Sequence, residues 1–193
     1  MTGTLPSGGR PESRVPSPES RRIRIIGIDP GSLKTGVGVI EYSANGKLTH
    51  VFHATLAVGG DNFPQRLKRI FEGVCEIIDE QQPHEAAIER VFMARNADSA
   101  LKLGQARGAA ICALVTKGMD VHEFSATEVK RSIVGGGRAD KHQVQHMIAV
   151  LLGIDTSVQA DAADALAIAI THAHARAGAI RIGLPRKTWR RRR

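Results

Sequence analysis

Four carboxylates in this 193-residue chain fall where they could do chemistry. Asp29 closes a β-branched run (Ile23, Ile25, Ile26, Ile28) and is followed by the turn residues Pro30, Gly31 and Ser32, a pattern that exposes it at a strand end. Glu89 lies inside a short apolar strand at 86–91, where an acid is costly to bury unless a cation or hydrogen-bond donors meet it. Alternation alone fits equally an outward-facing Glu89 paired with Arg90 or another base. Asp161 and Asp164 are three apart in a helical stretch, so they point from one face and their carboxylates can converge. Helix-start acids favoured by the dipole would account well for Asp161 and less well for Asp164. Together the four supply hard oxygen donors from two strands and one helix, the type of set that holds Mg²⁺. Two such ions can activate a water and stabilise the leaving oxygen during in-line displacement at phosphorus. Phosphodiester hydrolysis is therefore the natural chemistry of the set.

The elements that must position these acids follow from periodicity. The run ending at Asp29 is a buried strand; strands at 37–42 and 48–58 follow, joined by Asn45-Gly46, a strong hairpin signal. The domain thus opens with an antiparallel meander. From Pro64, the apolar positions Leu67, Ile70, Phe71, Val74, Ile77 and Ile78 have helical spacing, and Pro83 ends the segment ahead of the Glu89 strand. A helix over 97–117 contains Gly104 and Gly108, each costing about 1 kcal/mol against alanine in a helix interior. These glycines share a face with Ala97, Ala100 and Ile111, smooth enough for a close neighbour: the protein's own sheet or a second subunit. A strand at 121–124 precedes Ser125 and Glu128, which have capping-box spacing for a helix to Val134, broken by Gly135, Gly136 and Gly137. Helices at about 141–152 and 158–176 close the order, which implies an α/β domain with a mixed sheet and helices on its faces.

Composition limits the class. Hydrophobic residues make up 42% and charged residues 24%, which argues against global disorder or a fibrous repeat. No apolar run approaches the roughly 20 residues of a transmembrane helix, and the N-terminus lacks the apolar segment of a secretory signal, so a cytoplasmic protein without membrane contact is expected. Cys75 and Cys112 lack CxxC or zinc spacing and read as small buried thiols. The formal charge of +8 belongs to the ends: residues 173–193 carry eight basic side chains and no acid, and 1–22 carry four Arg against Glu12 and Glu19. The middle is slightly acidic. Three segments result: a Pro/Ser/Arg-rich extension over 1–22 expected to be disordered, a folded domain over 23–176, and a basic tail over 177–193 in which Trp189 stands beside four arginines. A basic tail attracts phosphate by counterion release or is simply a solvated end.

The stretches 27–32 (GIDPGS), 87–92 (AIERVF), Asn96 through Ser99, Leu101, Lys102, Gly104 and Gln105 to Gly108, and 159–166 (QADAADAL) resemble the RuvC family of Holliday-junction resolvases, the crossover junction endodeoxyribonucleases. The likeness covers about residues 23–175, in order and without large gaps. It implies a ribonuclease H-like fold with helices on both faces of the sheet, a homodimer, and Mg²⁺-dependent paired nicking of a four-way DNA junction in recombination and repair. Two ions per site, with Mn²⁺ able to substitute, go with that expectation. The four catalytic and metal-holding acids fall on Asp29, Glu89, Asp161 and Asp164; some members carry His at the third position, and this chain has the all-acid variant. Phe92 matches the family aromatic that stacks on an unpaired base, though as a residue it reads equally as core. Lys130 and Lys141 match lysines near DNA and the active site. Arg95, Lys102, Arg107 and Arg138 would have to join them on one face to hold phosphates beside an acidic pocket. His142 and His146 lack the zinc-protease glutamate and read as surface or lining residues. For the homodimer that the resemblance implies, the smooth face of the 97–117 helix with Ala97, Ala100, Gly104, Gly108 and Ile111 is the expected interface, and the resemblance also suggests a branch-migration motor complex as a partner.

Two other functional classes share features with the chain. The Asp29-Pro30-Gly31 turn is similar to the phosphate loop of sugar kinases and actin-like ATPases, which need two such domains around a nucleotide, and this chain has room for one. A non-catalytic junction-binding scaffold would bind a four-way junction and leave it intact with Mg²⁺.

Overall fold

The computed structural model describes residues 22–60, 62–90, 96–136, 140–155 and 158–181. Five strands, β1 (Ile23–Asp29), β2 (Lys34–Tyr42), β3 (Leu48–Ala57), β4 (Glu85–Glu89) and β5 (Val121–Phe124), form one sheet in the order β3-β2-β1-β4-β5. β1, β2 and β3 pair antiparallel, and β4 and β5 add in parallel on the other side of β1. The expected meander and the parallel half are both present. Gly46 turns the β2–β3 hairpin at φ +86°, a left-handed conformation that glycine adopts without strain.

Helices α1 (Phe63–Gln81) and α2 (Ala97–Thr116) cover one face, and α3 (Ala126–Val134), α4 (Lys141–Leu152) and α5 (Ala160–Arg181) the other. Strand alternation decides what each face receives. Ile26 and Ile28 of β1, Val37 and Val39 of β2, and Ala86 and Ile88 of β4 pack under α1 and α2. Ile25, Ile40 and Ala87 pack under α3 to α5, so Asp29 and Glu89 emerge on the α5 face. Asn62 caps α1, Ser125 and Glu128 form the capping box of α3, and Asp140 with Gln143 forms a second box for α4.

Helix α5 lies unusually close to the sheet. A Cβ on Gly27 would stand 2.2 Å from the Ala165 carbonyl oxygen, and one on Gly36 1.9 Å from the Asp161 carbonyl oxygen. One on Gly38 would meet Leu166 at 2.8 Å. Gly27 pairs with Gly38 and Asp29 with Gly36 across β1 and β2, so the bare backbone forms a seat for the first turns of the helix that carries Asp161 and Asp164.

Several expectations need correction. Strand β4 ends at Glu89, and Val91 lies outside the described residues. Helix α5 continues to Arg181, five residues into the stretch assigned from sequence to the basic tail. Gly104 and Gly108 do not face the protein's own sheet: α2 buries Ala106, Ala110, Ala113 and Leu114 there, and a Cβ on either glycine would meet nothing within 4 Å. Cys112 is exposed, because it lies on that outer side of α2. Residues 1–21 and 182–193, with the extension and most of the tail including Trp189, lie outside the described residues. Among the described residues no helix is long and apolar enough to cross a membrane.

Candidate active site

The ends of β1 and β4 and the first turns of α5 enclose a cavity of about 250 Å³ lined by Asp29, Glu89 and Asp164, with Lys130 and Lys141 on its wall. Ala126 and Val129 of α3, Val144 of α4, and Ala167 and Ile168 of α5 complete it with apolar surface. Asp29 is half-buried rather than exposed, because α5 closes over its strand end. The Asp29 turn is tied by Thr35, whose buried hydroxyl donates to the Gly31 carbonyl at 3.0 Å.

The acids repel one another in a place water reaches poorly. Burial, then the charges of Glu89 and Asp164, push Asp29 up to about 8 from its ordinary 3.8, so it keeps its proton at neutral pH and donates it to Glu89. Glu89 is also raised, by burial first and by Asp164, and the hydrogen bond from Asp29 offsets part of this. Asp164 is met by Lys141, whose Nζ lies 3.1 Å from Oδ2. That bond, before the charges of Asp164, Asp161 and Asp29, holds the ammonium above its usual range. Asp161 does not line the cavity; one turn earlier, it is near enough for its charge to act on Asp29 and Lys141.

Among the described residues, no three carboxylate, histidine or cysteine side chains stand together as the shell of a single ion. Asp29 and Glu89 instead share a proton, and Asp164 turns to an ammonium. The donor set nevertheless suits a hard divalent cation, being all carboxylate oxygen, and the charges of Glu89 and Asp164, which after burial raise Asp29, are charges such a cation would neutralise.

The other sequence candidates divide. Lys130 and Lys141 reach the cavity. Phe92, Arg95 and Arg138 lie outside the described residues. Arg107 does not stand free for phosphate: Nε donates to the Glu89 carbonyl at 2.9 Å, and the guanidinium pairs with Glu123 at 2.5 Å. It ties down the strand end that carries Glu89, a role invisible in the sequence because both partners are far away along the chain. Arg90 pairs with Glu123 as well, leaving Glu89 to the cavity. Lys102 pairs with Asp98 along the outside of α2. His142 and His146 are exposed and outside the cavity lining. The glycine seat under α5 was also missed; its signal was the alternation of Gly36 and Gly38 opposite Asp29 and Gly27.

A model of the family described as "Crossover junction endodeoxyribonuclease RuvC" matches residues 25–172. The chain belongs to the RuvC family. A RuvC of Stenotrophomonas maltophilia is 58% identical over 170 residues, 87% of this chain and 98% of that protein. One of Xanthomonas campestris is 56% identical over 172 residues, covering 88% and 99%. Among solved structures, Thermus thermophilus RuvC in complex with a Holliday junction substrate superposes with a TM-score of 0.75 at 32% identity, covering 81% of this chain and 96% of that one. The yeast mitochondrial Holliday junction resolvase Ydc2, at 14% identity and a TM-score of 0.61, shares the fold. The ribonuclease H-like sheet expected from the motifs is thus the fold of RuvC proteins, and the cavity lies on the α5 side of that sheet.

Proposed function

We propose that this chain is a crossover junction endodeoxyribonuclease that resolves four-way DNA junctions by paired, symmetric nicking, in homologous recombination and repair. The observation that carries the reading is the single cavity formed by Asp29, Glu89 and Asp164, with Lys130 and Lys141 beside them, in a RuvC-family chain. Asp29, Glu89 and Asp164, with Asp161 one turn away, would hold Mg²⁺ or Mn²⁺, two ions per site. When bound, the ions supply Lewis acidity at the scissile phosphate and lower the pKa of water. Asp29 and Glu89 would give up the proton they share in order to hold such ions, because both acids must ionise to act as ligands. Lys141 would stand beside the phosphate on the cavity wall, and Lys130 would draw the strand to the cavity by charge. Hydrolysis leaves a 5′-phosphate and a 3′-hydroxyl that a ligase can seal.

Phe92 would stack on an unpaired base, a contact worth about 1–3 kcal/mol, and Arg95 and Arg138 would hold backbone phosphates. The outer face of α2 would join two copies of the chain: Gly104 and Gly108 are open there, and Leu101 and Val115 are 62% and 53% exposed. Ala97 and Ala100 lie along the same face, and Ile111, partly packed against the core beneath α2, borders it. A two-fold dimer sets two cavities against two symmetric strands of the junction. A cytoplasmic setting and a branch-migration motor as partner belong to the same reading. The test is incubation with a synthetic four-way junction and a linear duplex, with and without Mg²⁺. Symmetric nicks in the junction alone, only with Mg²⁺, are expected; equal cutting of both substrates would reduce the activity to a general nuclease, and binding without nicking would leave a scaffold.

A further inference from the structure

At the opposite end of the sheet from the acids, β4 and α5 are joined by a buried polar cluster that the proposed chemistry does not use. Glu85, at the start of β4, is 8% exposed. His172 of α5, 4% exposed, donates from Nε2 to Glu85 Oε2 at 2.8 Å, and Arg176, one turn on, pairs with Glu85 Oε1. The His172 ring lies against His122 of β5, with centroids 4.2 Å apart and planes tilted by 31°, and near Phe124. Burial, and then the Arg176 charge, hold His172 down to about 4, so it is a neutral donor and the ion pair is Glu85 with Arg176.

The spacing along the two elements is matched. Glu85 and Glu89 are four residues apart in a strand, about 13 Å at about 3.3 Å per residue. His172 and Asp164 are eight apart in a helix, about 12 Å at about 1.5 Å per residue. The helix runs antiparallel to the strand, with its first turns at Gly36 and Gly27 and His172 at Glu85. A link between Glu85 and His172 therefore sets Asp164 level with Glu89. Any slide of α5 along β4 strips partners from a buried carboxylate, a penalty at the far end of the helix that adds to the steric seat of its first turns on Gly27, Gly36 and Gly38. Buried ion pairs add little net stability but penalise alternative arrangements.

We propose that Glu85, with His172 and Arg176, is a positioning cluster that registers α5 on β4 and so holds Asp164 on the wall of the cavity it shares with Asp29 and Glu89, where a divalent cation would bind. The inference rests on the metal-dependent reading of the cavity, and its test separates the two. The variant Glu85→Leu/His172→Leu/Arg176→Met replaces the cluster by apolar side chains, which keep a buried site folded when all partners are removed together. Its Mn²⁺ affinity, read from the free-Mn²⁺ electron paramagnetic resonance signal, is expected to fall roughly 10-fold or more, and junction nicking in Mg²⁺ roughly 10- to 100-fold. The melting temperature should stay at or above wild type and junction affinity should be unchanged. Glu85→Gln, whose one carbonyl oxygen can accept from Arg176 or from His172 but not from both, should give a Mn²⁺ affinity between those of the triple variant and wild type. Wild-type Mn²⁺ affinity in a folded triple variant would overturn the positioning role, whether or not the protein nicks junctions. If the triple variant does not fold, His172→Leu is measured for Mn²⁺ affinity below its own melting temperature, and a wild-type value overturns the role equally. Failure of the wild-type protein to nick any junction, with Mn²⁺ bound, would count against the nuclease reading alone.

Discussion

Replacing Gly36 by alanine would test how the acids are brought together. The new Cβ would stand 1.9 Å from the Asp161 carbonyl oxygen and 2.4 Å from its carbon. To reach even 3.0 Å, below which real Cβ contacts essentially do not occur, β2 and the start of α5 must separate by at least about 1.1 Å. The helix cannot yield there alone, because it is seated again on Gly27 and Gly38. Its first turns, with Asp161 and Asp164, must move relative to Asp29, which pairs with Gly36 across the sheet. Overpacking of this kind costs about 1–3 kcal/mol, which for a domain of this size lowers the melting temperature by roughly 2–4 °C per kcal/mol. A shift near 1 Å in a reacting constellation costs on the order of 100-fold in rate. Single-turnover nicking of a labelled junction in Mg²⁺ should therefore fall about 100-fold, while gel-shift affinity in the absence of metal stays within about threefold. Gly73→Ala is the control: there the Cβ would meet only the flexible tip of Leu56 at 3.1 Å, and helix propensity should leave stability unchanged or higher. Wild-type nicking in a Gly36→Ala protein of unaltered melting temperature would refute the glycine seat as the device that positions the acids.

Three further outcomes follow from the same geometry. Asp29→Asn should abolish nicking and keep junction binding; it should also remove a pH dependence of stability. With Asp29 raised to about 8 in the folded state and near 3.8 when unfolded, the native chain holds an extra proton between these values, so wild-type stability without metal falls as pH rises from about 4 to about 8. The slope is at most about 1.4 kcal/mol per pH unit; urea midpoints that change with pH identically in both proteins would contradict this. Lys141→Met removes the ammonium on Asp164 and should slow nicking at least about 10-fold without displacing the cation, since the acids remain; metal affinity reduced in parallel with rate would show that Lys141 acts through the metal site instead. Gly104→Ala should raise the melting temperature of a monomer through about 1 kcal/mol of helix propensity, yet weaken a dimer formed through the α2 face, because the methyl fills a gap that is open in the single chain. Sedimentation velocity across a concentration series decides it, and an unchanged dimer would place the interface elsewhere.

Local patterns determined much of this protein before any contact was known. The β-branched run to Asp29, the Asn45-Gly46 turn, the Ser125–Glu128 capping box and the helical spacing after Pro64 each depend on residues close in sequence, and each element stands where those signals put it. The acidic motifs were legible for the same reason: each is a short stretch of fixed spacing. Tertiary structure decided what the side chains meet. It turned Asp29 and Glu89 to the α5 face and made them share a proton. It left Asp161 outside the cavity lining, took Arg107 away from phosphate to hold the end of β4, and turned Gly104 and Gly108 outward. None of these has a sequence-local cause. A carboxylate's protonation and an arginine's partner depend on charges and burial supplied by residues tens of positions away. The seat for α5 exists only because three glycines on two strands lie beneath one helix.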